Sequence, residues 1–469
     1  MREITYAING GLTPDVIRQM HEAAMTIVER VGLRVPHPGV CSLLAEHNGV
    51  SIAGDIVRFK SFLVEKAIRE MHYPDWTRQL DYAMISGAYE MNVLDMDTGQ
   101  IRPSTLADLR DLIKLSDSYG MFGSAPVRPL DLPSEALQEV AMYKVGYENS
   151  RSKCADPFDA NPKSTPQVAE YVYDMARAAD RYYSLGMWVI SPFRLMTSEL
   201  EIITRFLDRK VPMWAATMPI AGATAPISMV GAYVQSMAEL WAAVTLLNLI
   251  SRGGPVFASM IDSIRAYPFD MKYGTFVYGS PEDLLATLFQ VQLNRLYGIP
   301  TVAKSLLSNS KLPDAQAAAE MGAHTTAAAL AGARIFTPAG LLAVDEIFSA
   351  EQLVIDCEIV QYARRVVEGL EFSAEALAVD AIQEVGVGGD FLGHPTTVAK
   401  CRSAFWMPEL FEHTMLGHWQ AHGSPTVQQR AGEIARKRIA EHRYALPGDV
   451  QRELERIWKA AVAELSERR

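Results

Sequence analysis

The most constraining feature of this 469-residue chain is an alternation that begins near residue 120, where short apolar runs take turns with longer stretches of helical spacing. The runs are MFGSAPV from Met121, SKCADPF from Ser152, YSLGMWVI from Tyr183, VPMWAATM from Val211, PVFASMI from Pro255, TVAKSLL from Thr301, ARIFTPAG from Ala333 and AIQEVGVGG from Ala381. Helical patterns fill the gaps at 134–149, 166–179, 197–208, 230–251, 281–297, 315–331 and 350–370. A strand buried on both faces reads as a continuous apolar run, and alternation with helices implies a parallel sheet. Eight such units predict a closed (β/α)8 (TIM) barrel over 119–408. A doubly wound open sheet is the alternative, but no GxGxxG opens any of the helices.

Residues 1–118 follow another pattern. Thr13 is positioned as an N-cap before Pro14, apolar residues from Val16 to Val31 keep helical spacing, and Gly32 ends the helix. Short extended runs around Gly54 read as a hairpin, so this part is expected to be a helical and β elaboration packed on the barrel. The tail, 409–469, is charged and helical, is broken at Pro447, and offers a surface for homo-oligomer contacts.

Composition limits the function. The formal net charge of −11 opposes binding to nucleic acid. The four cysteines, Cys41, Cys154, Cys357 and Cys401, form no CxxC pair, and the first residues carry no apolar signal segment. The most apolar stretch, 225–250, contains Gln235, Glu239 and Asn248 and reads as a buried helix, not a membrane span. A cytoplasmic enzyme without disulfides is expected.

Barrel enzymes carry reactive groups at the C-terminal ends of strands. That rule selects Ser191 and Pro192, Thr217 to Pro219, Asp262 and Ser263, Lys304 to Ser310, Thr337 to Gly340, and Gly386 to His394. The set is poor in acid–base pairs and contains no HExxH, P-loop or Ser/His/Asp order. Aromatics stand out instead: Trp188 and Trp214 on central strands, Phe276 and Tyr278 after the fifth, and Phe391 beside the Gly-rich 386–389 turn. Aromatic faces attract quaternary ammonium groups, although core packing explains the same residues. Gln316, Glu320 and His324 are spaced four apart and share one helical face, which suits a polar stripe at the rim. Glu320 and His324 could both reach one metal ion, but no second ligand cluster accompanies them, so no metal site is assigned. The Gly386–His394 stretch can hold an anion on backbone N–H groups or turn Phe391 and His394 over the barrel mouth.

Several runs resemble, in order and along essentially the whole chain, the trimethylamine methyltransferase family. They are Val31-Gly-Leu-Arg-Val35, Met218-Pro-Ile-Ala-Gly-Ala-Thr-Ala-Pro-Ile-Ser228 with Gly231 and Glu239, Val277-Tyr-Gly-Ser-Pro-Glu282, Ser310-Lys-Leu-Pro-Asp-Ala-Gln-Ala-Ala-Ala-Glu320, Leu353-Val-Ile-Asp-Cys-Glu358, Gly388-Gly-Asp-Phe-Leu392 and Leu446-Pro-Gly-Asp-Val450. The resemblance implies a (β/α)8 barrel that moves a methyl group from an amine to the cobalt of a separate corrinoid protein, with no tightly bound cofactor of its own. Because the chain has only standard residues, it resembles the non-pyrrolysine branch, which uses quaternary amines such as glycine betaine. On this reading Trp188, Trp214, Phe276, Tyr278, Phe391 and His394 would contact substrate, while Gln316, Glu320 and His324 would position it. The alternatives are a zinc-assisted methyltransferase and a non-catalytic betaine-binding protein.

Overall fold

The computed structural model describes residues 2–87, 90–123, 125–152 and 163–466. In chain order the first part holds β1 (Arg2–Ile4), α1 (Pro14–Arg30), β2 (Leu33–Arg34), α2 (Pro38–Ala45), β3 (Val50–Ala53), β4 (Ile56–Phe59), α3 (Ser61–Arg69), β5 (Ala83–Ser86), β6 (Asn92–Leu94), β7 (Ile101–Pro103), α4 (Leu106–Ser118), α5 (Glu135–Asn149) and α6 (Pro166–Ala178). The middle follows with β8 (Leu185–Val189), α7 (Thr197–Phe206), β9 (Met213–Thr217), α8 (Met229–Ile250), β10 (Val256–Ala258), β11 (Phe269–Asp270), β12 (Thr275–Phe276), α9 (Pro281–Leu296), β13 (Val302–Lys304), α10 (Ala315–Leu330), β14 (Ile335–Ala339), β15 (Leu341–Leu342), β16 (Ile347–Ser349) and α11 (Ala350–Glu368). The tail is β17 (Leu370–Phe372), α12 (Val379–Val385), α13 (Pro395–Lys400), α14 (Leu416–Ala421), α15 (Val427–Glu441) and α16 (Gly448–Leu465).

Two parallel sheets form the centre. One runs β8–β9–β10, with Met187 opposite Ala215 and Trp214 opposite Phe257. The other runs β13–β14–β5, with Ala303 opposite Phe336 and Phe336 opposite Met84. Ile85 extends the second sheet through a parallel bridge to Phe122. The architecture is mixed α/β with parallel strands and crossover helices. The pairings among the described residues do not by themselves join the two sheets into a closed ring.

Two expected strands differ. The run from Ala381 is not a strand: it is α12 followed by an exposed turn, and α12 buries none of its residues. The place beside β14 belongs to β5, from the part read as an elaboration. Its sequence, Ala83-Met-Ile-Ser86, is too short to show a period, yet Met84, Ile85 and Ser86 are buried as a parallel strand requires. Among its described residues, the run from Met121 contributes single bridges at Phe122 and Val127 and no continuous strand. Most of the run from Ser152, with Cys154, lies outside the described residues.

Helix α8 explains how the N-terminal part is attached. It is apolar on all sides, and a helix of that kind must be covered all round. Strand β9 covers one side, and α1, α2 and α3 cover the others. It is long and apolar enough to cross a membrane, but 83% of its most apolar window is buried inside the protein. At the other end α15 packs on α11 and α4, and α16 packs on α5 and α6.

Candidate functional site

A cavity of about 810 Å³ opens at the C-terminal ends of the parallel strands of both sheets. Ser191 follows β8, Met218 follows β9 and Asp262 follows β10; Lys304 ends β13, Pro338 lies in β14 and Glu90 follows β5. The strand-end rule therefore brings five of its selected residues to one wall: Ser191, Met218, Asp262, Lys304 and Pro338. Glu139, Lys163, Glu199 and Asp345 complete the charged lining. A larger cleft of about 1,020 Å³ on the outer helices, between α5 and α16, touches no strand end.

Lys304 and Asp262 tie the two sheets together across the cavity floor. Lys304 Nζ lies 3.0 Å from Asp262 Oδ1, and both side chains are almost fully buried. Tyr267 donates its hydroxyl to the same Asp262 oxygen, and the Lys304 ammonium sits 5.4 Å from the Tyr267 ring centre. Behind Tyr267, Phe276 and Tyr278 stack at 5.5 Å with their planes 10° apart. These two aromatics back the ion pair and do not line the cavity. Arg265, whose guanidinium is also over Tyr267, is itself buried against Asp283.

The two tryptophans separate into layers. Register pairs Gly186 with Trp214 and Trp188 with Ala216, so all four face one side of the sheet. Thr217 faces the other side and bonds Glu239 of α8. Trp188 is half-buried and lines the cavity. Trp214 is buried one layer below, edge-on to Trp188 at 6.2 Å, with its indole N–H given to Ser184 Oγ at 3.2 Å. Gly186 makes this possible, because a Cβ there would stand 2.3 Å from the Trp214 ring.

Three cavity carboxyls are shifted by burial. Burial pushes Glu199 up to about 8, opposed by the Trp188 backbone N–H, which donates to it at 3.0 Å. Burial pushes Asp345 up to about 6, with Lys304 opposing and Asp262 adding to the rise. Burial also raises Glu139, against bonds from the Ser164 amide and hydroxyl at 3.0 and 2.8 Å. Sequence reasoning missed these three and Glu90. Glu139 and Glu199 sit in helices and Asp345 in a loop beyond β14, whereas the search stopped at strand ends; carboxylates among apolar helix neighbours were the signal available.

The other expected residues lie apart from the cavity. Gln316, Glu320 and His324 share a face of α10, as their spacing implies, but none lines it. Glu320 accepts from Ser308 Oγ at 2.5 Å and from Gln316 Nε2 at 2.9 Å, and so holds the loop after β13. Gly279, at φ +77°, lets that carboxylate pack close, since a Cβ would meet its oxygen at 2.5 Å. His324 is buried, and burial lowers its pKa. Among the described residues no three His, Cys, Asp or Glu side chains cluster as metal ligands. Phe391 and His394 lie in the exposed tail, where His394 caps α13 by accepting from the Thr396 amide at 3.3 Å.

Comparison with known proteins shows the family of the chain. The family described as trimethylamine methyltransferase (MTTB) matches residues 4–462. The trimethylamine methyltransferase MttB of Methanosarcina thermophila is 26% identical over 90% of this chain and 91% of its own. MttB of Desulfitobacterium hafniense is 25% identical over 91% and 88%, and a glycine betaine methyltransferase of the same species is 24% identical over 89% and 90%. The solved monomethylamine methyltransferase of Methanosarcina barkeri aligns over 92% of this chain and 88% of its own, at 11% identity and a TM-score of 0.47. With its sequence matched almost from end to end, the chain belongs to the trimethylamine methyltransferase family and is a methyltransferase.

Proposed function

We propose that this methyltransferase demethylates a small quaternary amine, glycine betaine being the first candidate, and delivers the methyl group to the cobalt of a separate corrinoid protein. The observation that carries this reading is the carboxyl-rich lining of the cavity: Glu90, Glu139, Glu199, Asp262 and Asp345 outnumber Lys163 and Lys304, and the carboxyls that burial holds protonated can ionise against an entering cation. Such a wall suits a cation, and the face of Trp188 would attract it.

The chemistry asks little acid–base work of the chain. The cobalt supplies the nucleophile and arrives with its own protein. As the methyl group departs, the C–N electron pair stays on nitrogen and leaves a neutral tertiary amine, so no proton is required there. The residues have to hold the cation, aim one methyl outward and keep water away, which are tasks of proximity and electrostatics. Near neutral pH Glu199 loses its proton as the cation enters and joins the ionised Asp345 as its counter-charge. Lys163 and Lys304 are the cationic groups in the lining that a betaine carboxylate would meet. Phe276 and Tyr278 hold the Lys304–Asp262 pair in place, and Glu320 with Gln316 steadies the loop after β13, while His324 is buried farther along the same helix. In this reading the two sheets close as a (β/α)8 barrel in a cytoplasmic enzyme.

The test is methylation of a corrinoid protein with glycine betaine, proline betaine, carnitine, choline or trimethylamine as donor. Turnover with one quaternary donor and none with trimethylamine is expected. Turnover with trimethylamine alone would overturn the substrate class, and ligand binding without transfer to any corrinoid acceptor would make the chain a binding protein.

A further inference from the structure

Asp345 reaches the cavity on a turn with an unfavourable backbone. Strands β15 and β16 form a hairpin, Leu341 opposite Phe348 and Leu342 opposite Ile347, with Ala343-Val-Asp-Glu346 at its tip. Ala343, Val344 and Asp345 have φ of +55°, +61° and +62°. Among the described residues no other non-glycine residues adopt positive φ in succession. The left-handed region disfavours side chains, above all β-branched ones such as Val344, so neighbouring structure has to hold this turn.

The loop after β13 does the holding. The Ala343 amide donates to the Ser310 carbonyl at 2.7 Å, and the Val344 amide to the Ser308 carbonyl at 3.2 Å. Ser308 is fixed in turn by its side chain, whose oxygen accepts from the Ser310 amide at 2.9 Å and whose proton goes to Glu320 of α10. A line of bonds therefore runs from α10, outside the cavity, through Ser308 and the left-handed turn to Asp345 in the cavity wall. There the charged groups acting on the Asp345 carboxyl are Lys304, Asp262 and Glu346.

We propose, on the reading of the cavity as a quaternary-amine site, that Glu320 is a positioning residue: through Ser308 it sets Asp345 against the bound ammonium. With the Ser310 amide on its oxygen, the Ser308 hydroxyl is aimed by the acceptor that takes its proton. Removing that acceptor frees the serine to rotate and loosens both carbonyls that hold the turn. A relaxed turn gives up its disfavoured backbone and no longer fixes Asp345 in the wall. A counter-charge fixed beforehand needs no reorganisation when the cation arrives, which is what the held turn supplies. Glu320 is only half-buried, so its loss disturbs this loop and not the core.

The test is calorimetric titration of the full chain with glycine betaine, or with whichever of proline betaine, carnitine and choline the native chain binds, across the pH range. Glu320→Ala should weaken binding about tenfold near neutral pH. It should also flatten the rise in affinity near pH 6, where Asp345 ionises, and leave the rise near 8, where Glu199 does. Asp345→Asn should have the same effect, and joining the two changes should weaken binding no further. Glu320→Gln keeps an acceptor for Ser308 and should restore native behaviour. Hydrogen exchange mapped by peptide mass needs no amine: residues 341–346 should exchange faster in Glu320→Ala, with β8 unchanged. Native affinity and pH profile in Glu320→Ala, an equal further loss in the Asp345→Asn background, failure of Glu320→Gln to restore binding, or unchanged exchange would each overturn the proposal. A native chain that binds none of these amines would sink the substrate reading instead, and the exchange rates would still decide whether Glu320 holds the turn.

Discussion

Two buried carboxylates in this protein, Glu239 and Glu199, do opposite things. Behind the loops, Glu239 is saturated: Ser191 Oγ donates at 2.7 Å, Gln235 Nε2 at 2.9 Å, the Phe193 amide at 3.1 Å, and Thr217 Oγ1 donates as well. It draws the loop after β8 onto the end of β9. Inside the mouth, Glu199 is less deeply buried and takes one backbone donor, from Trp188, while facing open cavity. Burial raises both. The difference lies in what remains to be satisfied: a carboxylate whose oxygens are filled organises structure, and one left short keeps its proton until a cation arrives.

The comparison can be broken most directly at Glu239. Glu239→Ala should orphan three side-chain donors and one amide and cost about 3 kcal/mol or more of stability, read from the shift in the urea unfolding curve. Glu199→Ala should cost far less stability and instead weaken binding of a quaternary amine. Equal losses of stability in the two variants would erase the distinction. The same contrast applies one layer apart in the aromatics. Trp214→Leu should lose about 2 kcal/mol or more of stability through the space it leaves, with affinity little changed. Trp188→Leu should weaken ligand binding about tenfold with a small change in stability.

The pH dependence sharpens the comparison further. Asp345 at about 6 and Glu199 at about 8 are raised above ordinary carboxyls, so in the free protein each is mainly neutral only below its own value. A cation favours their ionised forms. Affinity should therefore rise with pH through the window from 6 to 8, with proton release visible as a buffer-dependent binding enthalpy. Glu199→Gln should flatten the upper part of that rise. The smallest effect is expected on α10: Gln316→Ala removes one exposed bond to Glu320 and should cost about 0.5 kcal/mol, and chelators should leave methyl transfer intact.

The legible parts of the chain were those with a strong local signal. The runs from Tyr183, Val211, Pro255, Thr301 and Ala333 contain β8, β9, β10, β13 and β14, and the intervening helices fall where their spacing puts them. Thr13 caps α1 by accepting from the Val16 amide, as its position before Pro14 implies. Strand β5 was illegible because four residues, half of them exchangeable with loop composition, carry no period. The Gly386–His394 stretch misled for the opposite reason: glycines beside an apolar run imitate a strand end, but nothing in the run says which neighbour, if any, will bury it.

The sequence by itself determined the alternation of parallel strands and helices, the all-round apolar character of α8, and the family, because these reside in periodicity and in the order of motifs. Tertiary structure alone decided that β5 takes a place beside β14, that Lys304 meets Asp262 between two sheets, and that Glu199 and Asp345 face a cavity while Glu239 faces four donors. The physical reason is range. Helix and strand preferences are set by neighbours a few residues away, whereas the charge state of a buried carboxyl depends on which distant groups the fold brings to it and how much water it leaves.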